Sequence, residues 1–339
     1  MLCKARRAGY SVPVDGSNSV VGRQEANPTM SSKDQIAMIP APAAHSGVAA
    51  ASEAPMIPIK DRYLEVRSRI AAAAKKSGRS PESVVLVAVT KTAEPDEIRE
   101  LIKLGHADFG ENRVQQLVQR AAIIDEWMAR HRTMPGVTWQ RPAAEEDPWA
   151  PTARSGRPTG AATPGMPPVI RWHMIGHLQR NKARKAVETC RLLHSVDSLR
   201  LAEELQMIAI RRENPVEVLL QVNCSGEEQK YGCAIAATIH LAEQIETMLH
   251  VQLRGLMTMA AESADVRDTR ATFGRCRELF EEIRDSGVVS PRFNILSMGM
   301  SGDYEAAIEE GANMVRVGTA IFGPAKAGQE DGGEDSDED

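Results

Sequence analysis

Lys91 directly follows the apolar run Val84-Val85-Leu86-Val87-Ala88-Val89-Thr90 and precedes the acidic stretch Glu94-Pro95-Asp96-Glu97. A Val-rich run of this length, ended by a proline and a new pattern, reads as a strand buried on both faces, the kind found in parallel sheets. An amine at the rim of an apolar interior has reason to shed its proton, and a neutral lysine amine attacks carbonyl compounds to form a Schiff base. Taken alone, the position reads more readily as a solvated lysine that opens a loop. Polar and glycine-rich clusters recur, however, at the ends of later apolar runs. They are Gly110-Glu111-Asn112; His173, Gly176 and His177; Ser195 and Asp197; Asn223 and Ser225; Ser297-Met298-Gly299-Met300-Ser301-Gly302-Asp303; and Arg316-Val317-Gly318-Thr319. Open α/β sheets and α/β barrels carry their chemistry at this one rim.

The last two clusters have the makings of a phosphate cup. Glycines let the backbone approach an anion, N–H groups point at it, and Ser or Thr hydroxyls add donors. Ser301 with Gly302, and Gly318 with Thr319, are expected to open two helices there. The plainer alternative is a pair of turn glycines and helix caps. A lysine facing such a cup, with Arg316 between them, describes a pyridoxal phosphate site: the lysine holds the aldehyde, the cup the phosphate, and Arg316 the pyridine nitrogen. A salt bridge within the fold is the other role open to Arg316.

These groups need a scaffold that brings strand ends together. Strands are expected at about 83–90, 106–110, 170–175, 191–196, 216–223, 251–258, 293–298 and 313–317. Between them Ile98, Leu101 and Ile102 share one helical face, as do Leu201, Leu205 and Ile208, and Leu279 and Ile283. A further helix is expected at about 59–77, and a short one near 320–326. Eight βα units over some 270 residues predict a single α/β TIM-type (β/α)8 barrel spanning 57–326. A doubly wound sheet is the alternative. Residues 129–168 hold eight of the nineteen prolines together with Trp139 and Trp149. They read as an insertion between the second helix and third strand, either a bare loop or a lid or partner-binding segment anchored by the two tryptophans. Residues 1–56, rich in Ala, Pro, Ser and Gly, are expected to be a disordered extension, with Met30 or Met56 as alternative starts. Residues 327–339 form an acidic tail.

Composition excludes several classes of protein. The formal charge is −5, but seven of the last ten residues are acidic, so the body is close to neutral and demands neither nucleic acid nor a membrane. No apolar run approaches the roughly 18 residues of a membrane span. Five cysteines without a C-x-x-C pair suggest reduced thiols, hence a cytoplasmic setting, and no metal site.

The combined motifs resemble the YggS-like pyridoxal phosphate homeostasis family, related to the amino-terminal domain of alanine racemase. The resemblance rests on Ala88-Val89-Thr90-Lys91, Phe109-Gly110-Glu111-Asn112, Trp172-His173-Met174-Ile175-Gly176-His177-Leu178-Gln179-x-Asn181-Lys182, Val222-Asn223, Lys230-x-Gly232, Gly255-Leu256-Met257, Ser297-Met298-Gly299-Met300-Ser301-x-Asp303, and the stretch from Val315 to Gly323. It implies a fold type III barrel without the racemase β domain, with pyridoxal 5'-phosphate carried on Lys91. It further implies phosphate contacts from Ser301, Gly318 and Thr319, Arg316 near the ring nitrogen, and Asn112 and His173 lining the pocket. Two functions follow: a carrier that buffers the cofactor or delivers it to apoenzymes, as a monomer or weak dimer, or an amino-acid racemase. Two-base racemisation needs an acid or base on each face, and Lys91 supplies one. Tyr231, Tyr304 or His173 would have to supply the other, so the carrier is the expected function.

Overall fold

Every paired strand in the computed structural model runs parallel to its neighbour, over a structure that describes residues 57–132, 165–227, 229–261 and 265–324. The strands are β1 (Val85–Val89), β2 (Asp108–Glu111), β3 (Arg171–Met174), β4 (Cys190–Val196), β5 (Val216–Asn223), β6 (Cys233–Ala234), β7 (Val251–Met257), β8 (Ile295–Ser297) and β9 (Met314–Val317). β1 pairs with β2 on one side and with β9 on the other, and β4 pairs with β5. The sheet β1-β2-β3-β4-β5-β7-β8-β9 therefore closes on itself. Closure excludes the doubly wound alternative, whose sheet has two open edges. All eight expected strands form within two residues of their expected limits. The addition is β6, two residues laid on the end of β5 with Val222 opposite Cys233 and Asn223 opposite Ala234.

A helix follows each of the eight barrel units: α2 (Pro95–Lys103), α3 (Val114–Arg132), α4 (Ala183–Thr189), α5 (Leu199–Arg212), α6 (Ile235–Glu246), α7 (Val266–Asp285), α8 (Tyr304–Glu309) and α9 (Thr319–Phe322). α1 (Ile59–Lys76) precedes β1 and packs on α8, α9 and α2. The acidic stretch after Lys91 proves to be a helix start. Glu94 and Glu97 form a reciprocal capping box around Pro95 at the first helical position. The faces read from the sequence are buried as expected, Ile98, Leu101 and Ile102 among them. α3 carries on through Arg132, with Met128 buried, and Met166 returns to the core. The expected insertion at 129–168 therefore begins inside a helix and ends on packed chain. Its remainder, with both tryptophans, lies outside the described residues, as do residues 1–56 and 327–339.

Alternation along the strands sends Val85, Val87, Leu192, Leu219, Met257, Ile295 and Met314 inward, where they pack as one apolar cluster. Charged pairs sit towards the amino-terminal ends: Arg171 forks onto Asp108 at 2.7 and 2.6 Å, and Glu217 takes Arg191 at 3.0 Å and Arg254 at 2.7 Å. Gly255 is required where β7 meets β8. Its φ is +151°, and a Cβ there would lie 1.7 Å from the carbonyl oxygen of Ile295. Gly255→Ala is expected to destabilise the barrel by at least about 3 kcal/mol, because backbone and not a movable side chain stands in the way. A urea midpoint equal to that of the unmodified protein would contradict this.

Candidate functional site

Lys91 is exposed in the turn that follows β1. It falls on the same parity as the inward residues Val85 and Val87. Register puts it beside the end of β9, since Val87 pairs with Arg316 and Ala88 with Val317. What fixes this turn is Glu111, which is fully buried. Its carboxylate accepts from Thr90 Oγ1 at 2.7 Å and from the Asn112 N–H at 3.0 Å, and it pairs with Arg120 at 3.2 Å. Arg120 also donates to the Lys91 carbonyl at 3.4 Å. One buried carboxylate thus ties the ends of β1 and β2 to α3. The sequence places Glu111 among the rim residues, but its role as the anchor of the lysine turn emerges only in three dimensions. Asn112 is half-buried, and its backbone defines how close the next loop comes: a Cβ on Gly176 would lie 2.2 Å from the Asn112 carbonyl oxygen.

The barrel interior beneath the mouth carries a continuous line of hydrogen bonds. Asp108 Oδ1 lies 3.3 Å from His173 Nε2, His173 Nδ1 lies 2.9 Å from His194 Nε2, and His194 Nδ1 lies 3.1 Å from Ser297 Oγ. Arg316 Nη1 then donates to Ser297 Oγ at 2.6 Å, and its Nη2 to the Thr258 carbonyl at 3.0 Å. Burial pushes both histidines below their ordinary range, His194 well below it. Burial alone would raise the Asp108 carboxyl, but Arg171 and His173 hold it well below the usual carboxylate range. With Asp108 ionised and both rings neutral, one proton arrangement satisfies every link. His173 donates to Asp108, His194 to His173, Ser297 to His194, and Arg316 to Ser297. Burial brings the Arg316 guanidinium down to about 10, so it remains a cation at neutral pH.

His173 is therefore not at the rim. It lies within β3, fully buried, with His194 and Ser297 between it and Arg316. His194 and Asp108 escaped the sequence reading. Their signal was a polar residue on the inward parity of an otherwise apolar strand, as in Leu192-Leu193-His194-Ser195-Val196.

The glycine-rich turn is also more specific than expected. Ser301 and Gly302 do not open a helix: they lie in the turn ahead of α8, whose N-cap is Asp303. Ser301 Oγ reaches over to β9 and accepts the Gly318 N–H at 3.1 Å and the Ala320 N–H at 3.3 Å. Gly318 is the N-cap of α9 and Thr319 its first residue, exposed at the mouth. A Cβ on Gly318 would lie 3.2 Å from Val89 Cβ, so its lack of a side chain brings this turn against β1. Gly299, at φ +90°, makes room for α8 in the same way, since a Cβ there would lie 2.7 Å from Ala307 Cβ. Ser301, Gly318 and Thr319 are thus gathered beside the end of β1, above the Arg316 side chain. Tyr304, by contrast, is buried against α1 with Arg69 over its ring.

The fold and this arrangement define a (β/α)8 barrel with a lysine, a buried arginine and a glycine-rich turn gathered on neighbouring strands at its carboxyl-terminal mouth. Residues 65–326 match the family described as alanine racemase, N-terminal domain. A Pseudomonas aeruginosa protein named pyridoxal phosphate homeostasis protein is 34% identical over 268 residues, covering 79% of this chain and 96% of that one. One of the same name from Escherichia coli K12 is 35% identical over 266 residues, 78% of this chain and 96% of that one. The solved structure of PipY from Synechococcus elongatus with PLP bound is 31% identical, with a TM-score of 0.59 over 78% of this chain and 100% of that one. The chain belongs to the alanine racemase N-terminal domain family and, within it, to the pyridoxal phosphate homeostasis proteins.

Proposed function

We propose that this protein binds pyridoxal 5'-phosphate through Lys91 and buffers it or delivers it to apoenzymes, without turning over a substrate of its own. The observation that carries the reading is the neighbourhood of β1 and β9, which sets the lysine turn beside Gly318 and Thr319 and above a fixed Arg316. The residues suit the cofactor: an amine for its aldehyde, the Ser301 and Thr319 hydroxyls with the close-approaching Gly318 turn for its phosphate, and a guanidinium that is a cation at neutral pH for its ring nitrogen. When bound, the cofactor supplies a carbonyl carbon that the lysine captures and a ring that can draw electrons. Arg316 limits that second property. Anchored by Ser297 and the Thr258 carbonyl, it can only donate, so a pyridine nitrogen held by it would stay unprotonated and the ring would be a weak electron sink. That favours holding over catalysis. Asn112 would flank the ring, and His173 would act only through the line that ends on Arg316. The names of the relatives and the PipY complex support the same reading.

The competing function is racemisation, which needs a second acid or base over the mouth. Burial removes Tyr304 and His173 from that role and leaves Tyr231. The deciding experiment is the visible spectrum of the purified full chain after loading with pyridoxal phosphate, before and after borohydride, with the reduced adduct mapped by peptide mass. A yellow protein whose adduct sits on Lys91, and which forms no D-alanine from L-alanine, is the expected result. A protein that stays colourless, or an adduct elsewhere, would overturn the assignment.

A further inference from the structure

On the far side of the mouth from Lys91, three loops are pinned to one another by side chains that neither the lysine nor the glycine-rich turn uses. The rings of His177 and Tyr231 stack with centroids 4.1 Å apart and planes 17° from parallel. His177 Nδ1 lies 3.6 Å from Asp197 Oδ2. His177 follows β3, Asp197 follows β4, and Tyr231 lies two residues before β6, which is itself laid on the end of β5. The Tyr231 carbonyl accepts from Gln221 Nε2 of β5 at 3.1 Å, and the adjoining Lys230 Nζ donates to the Ala260 carbonyl, beyond β7, at 2.9 Å. Gly232 draws this stretch tight: its φ is +127°, and a Cβ would lie 2.7 Å from the Asn223 nitrogen. The stretch 229–233 thus ties together the carboxyl ends of β3, β4, β5 and β7. Four of the barrel's eight strands are spanned by it. In the closed order β5 stands opposite β1, so this tie forms the wall of the mouth that faces Lys91.

Tyr231 is 53% exposed and has no core of its own to hold it. Its stack on a histidine braced by a carboxylate is what fixes it. We propose that the Tyr231–His177–Asp197 set is a clamp on the mouth, positioning the wall opposite Lys91 and limiting the rate at which the cofactor enters and leaves. This rests on the cofactor reading above and adds to it the element that controls exchange. Both rings act by keeping the wall closed, and losing either partner frees the other.

An aromatic stack of this kind is worth enough to change an opening equilibrium by roughly three- to tenfold. Two measurements test the clamp. The first is the rate at which hydroxylamine strips cofactor from the loaded protein. The second uses cofactor-free protein and reads the rate at which iodoacetamide alkylates Cys233, two residues from Tyr231 and only partly exposed. Tyr231→Ala and His177→Ala are each expected to raise both rates roughly three- to tenfold, and the double variant no further. Tyr231→Phe, which keeps the ring, should restore the original rates. Unchanged stripping and unchanged Cys233 alkylation in Tyr231→Ala, or a double variant with fully additive effects, would overturn the clamp while leaving the cofactor reading intact. A wild-type chain that takes up no cofactor would instead overturn the reading on which the clamp depends, whatever the alkylation rates.

Discussion

Stability is expected to fall steeply as the pH drops below about 6.5, long before most carboxylates titrate. His106, His173 and His194 are all buried, and burial depresses each of them, His106 to about 4. In the unfolded chain the same rings take up a proton near 6.5. Between that value and the depressed one, the unfolded state binds protons that the folded state refuses. The sign follows directly. The stabilisation is complete above the unfolded value and is lost as the pH falls towards the folded one, by up to about 1.4 kcal/mol per pH unit for each ring. Asp108 adds a second loss at lower pH, because its depressed carboxyl stabilises the fold only while it is ionised. Urea midpoints at pH 7.5, 6.5 and 5.5 should show little change over the first step and a marked drop over the second. Equal midpoints at all three would mean that the folded rings take up protons as readily as the unfolded ones.

Lys91→Ala and Arg316→Leu are expected to fail in opposite ways. Lys91 is exposed, and the turn it occupies is held through its carbonyl by Arg120 and through Glu111. Alanine should therefore abolish borohydride-trapped cofactor while moving folding stability by no more than about 0.5 kcal/mol. Arg316 is buried and holds Ser297 and the Thr258 carbonyl. Leucine leaves both without that donor inside the barrel and should cost about 1–3 kcal/mol. It should also weaken cofactor retention without removing the attachment point. Thermal melts paired with adduct mapping separate the two cases. Trapped cofactor persisting at full stoichiometry in Lys91→Ala would remove that lysine from its assigned place.

The scaffold was largely readable because parallel strands buried on both faces leave apolar-rich runs, even where a charged or polar residue interrupts them as in β2 and β3, and all eight expected strands form. Closure was implied by the number of units, but only the β1–β9 and β4–β5 pairings establish it. β6 was missed because two residues carry no periodicity. At the site, the residues with special backbone demands or rim positions were visible, as with Gly318, Ser301 and Lys91. What pattern could not reveal was which polar side chains meet across the barrel. Ser297 and His194 are 103 residues apart in sequence yet share a hydrogen bond. His173 looked like a rim residue because it abuts Gly176 and His177 in the chain, whereas one step of strand alternation decides that it points into the core. Ser301 does not start its own helix: its hydroxyl accepts from the amides of Gly318 and Ala320 that open α9.

The apolar cluster of Val85, Val87, Leu192, Leu219, Met257, Ile295 and Met314 gives the barrel a floor. Among the described residues, the molecule is thus a cup and not a pipe. Whatever settles against Lys91 must depart by the way it came, so a second guest waits until the first has gone. A recipient protein that covers the rim would shield the contents from water and block refilling in the same act. On the proposed function, loading and handover would take turns at one doorway, their order set by who reaches the rim first.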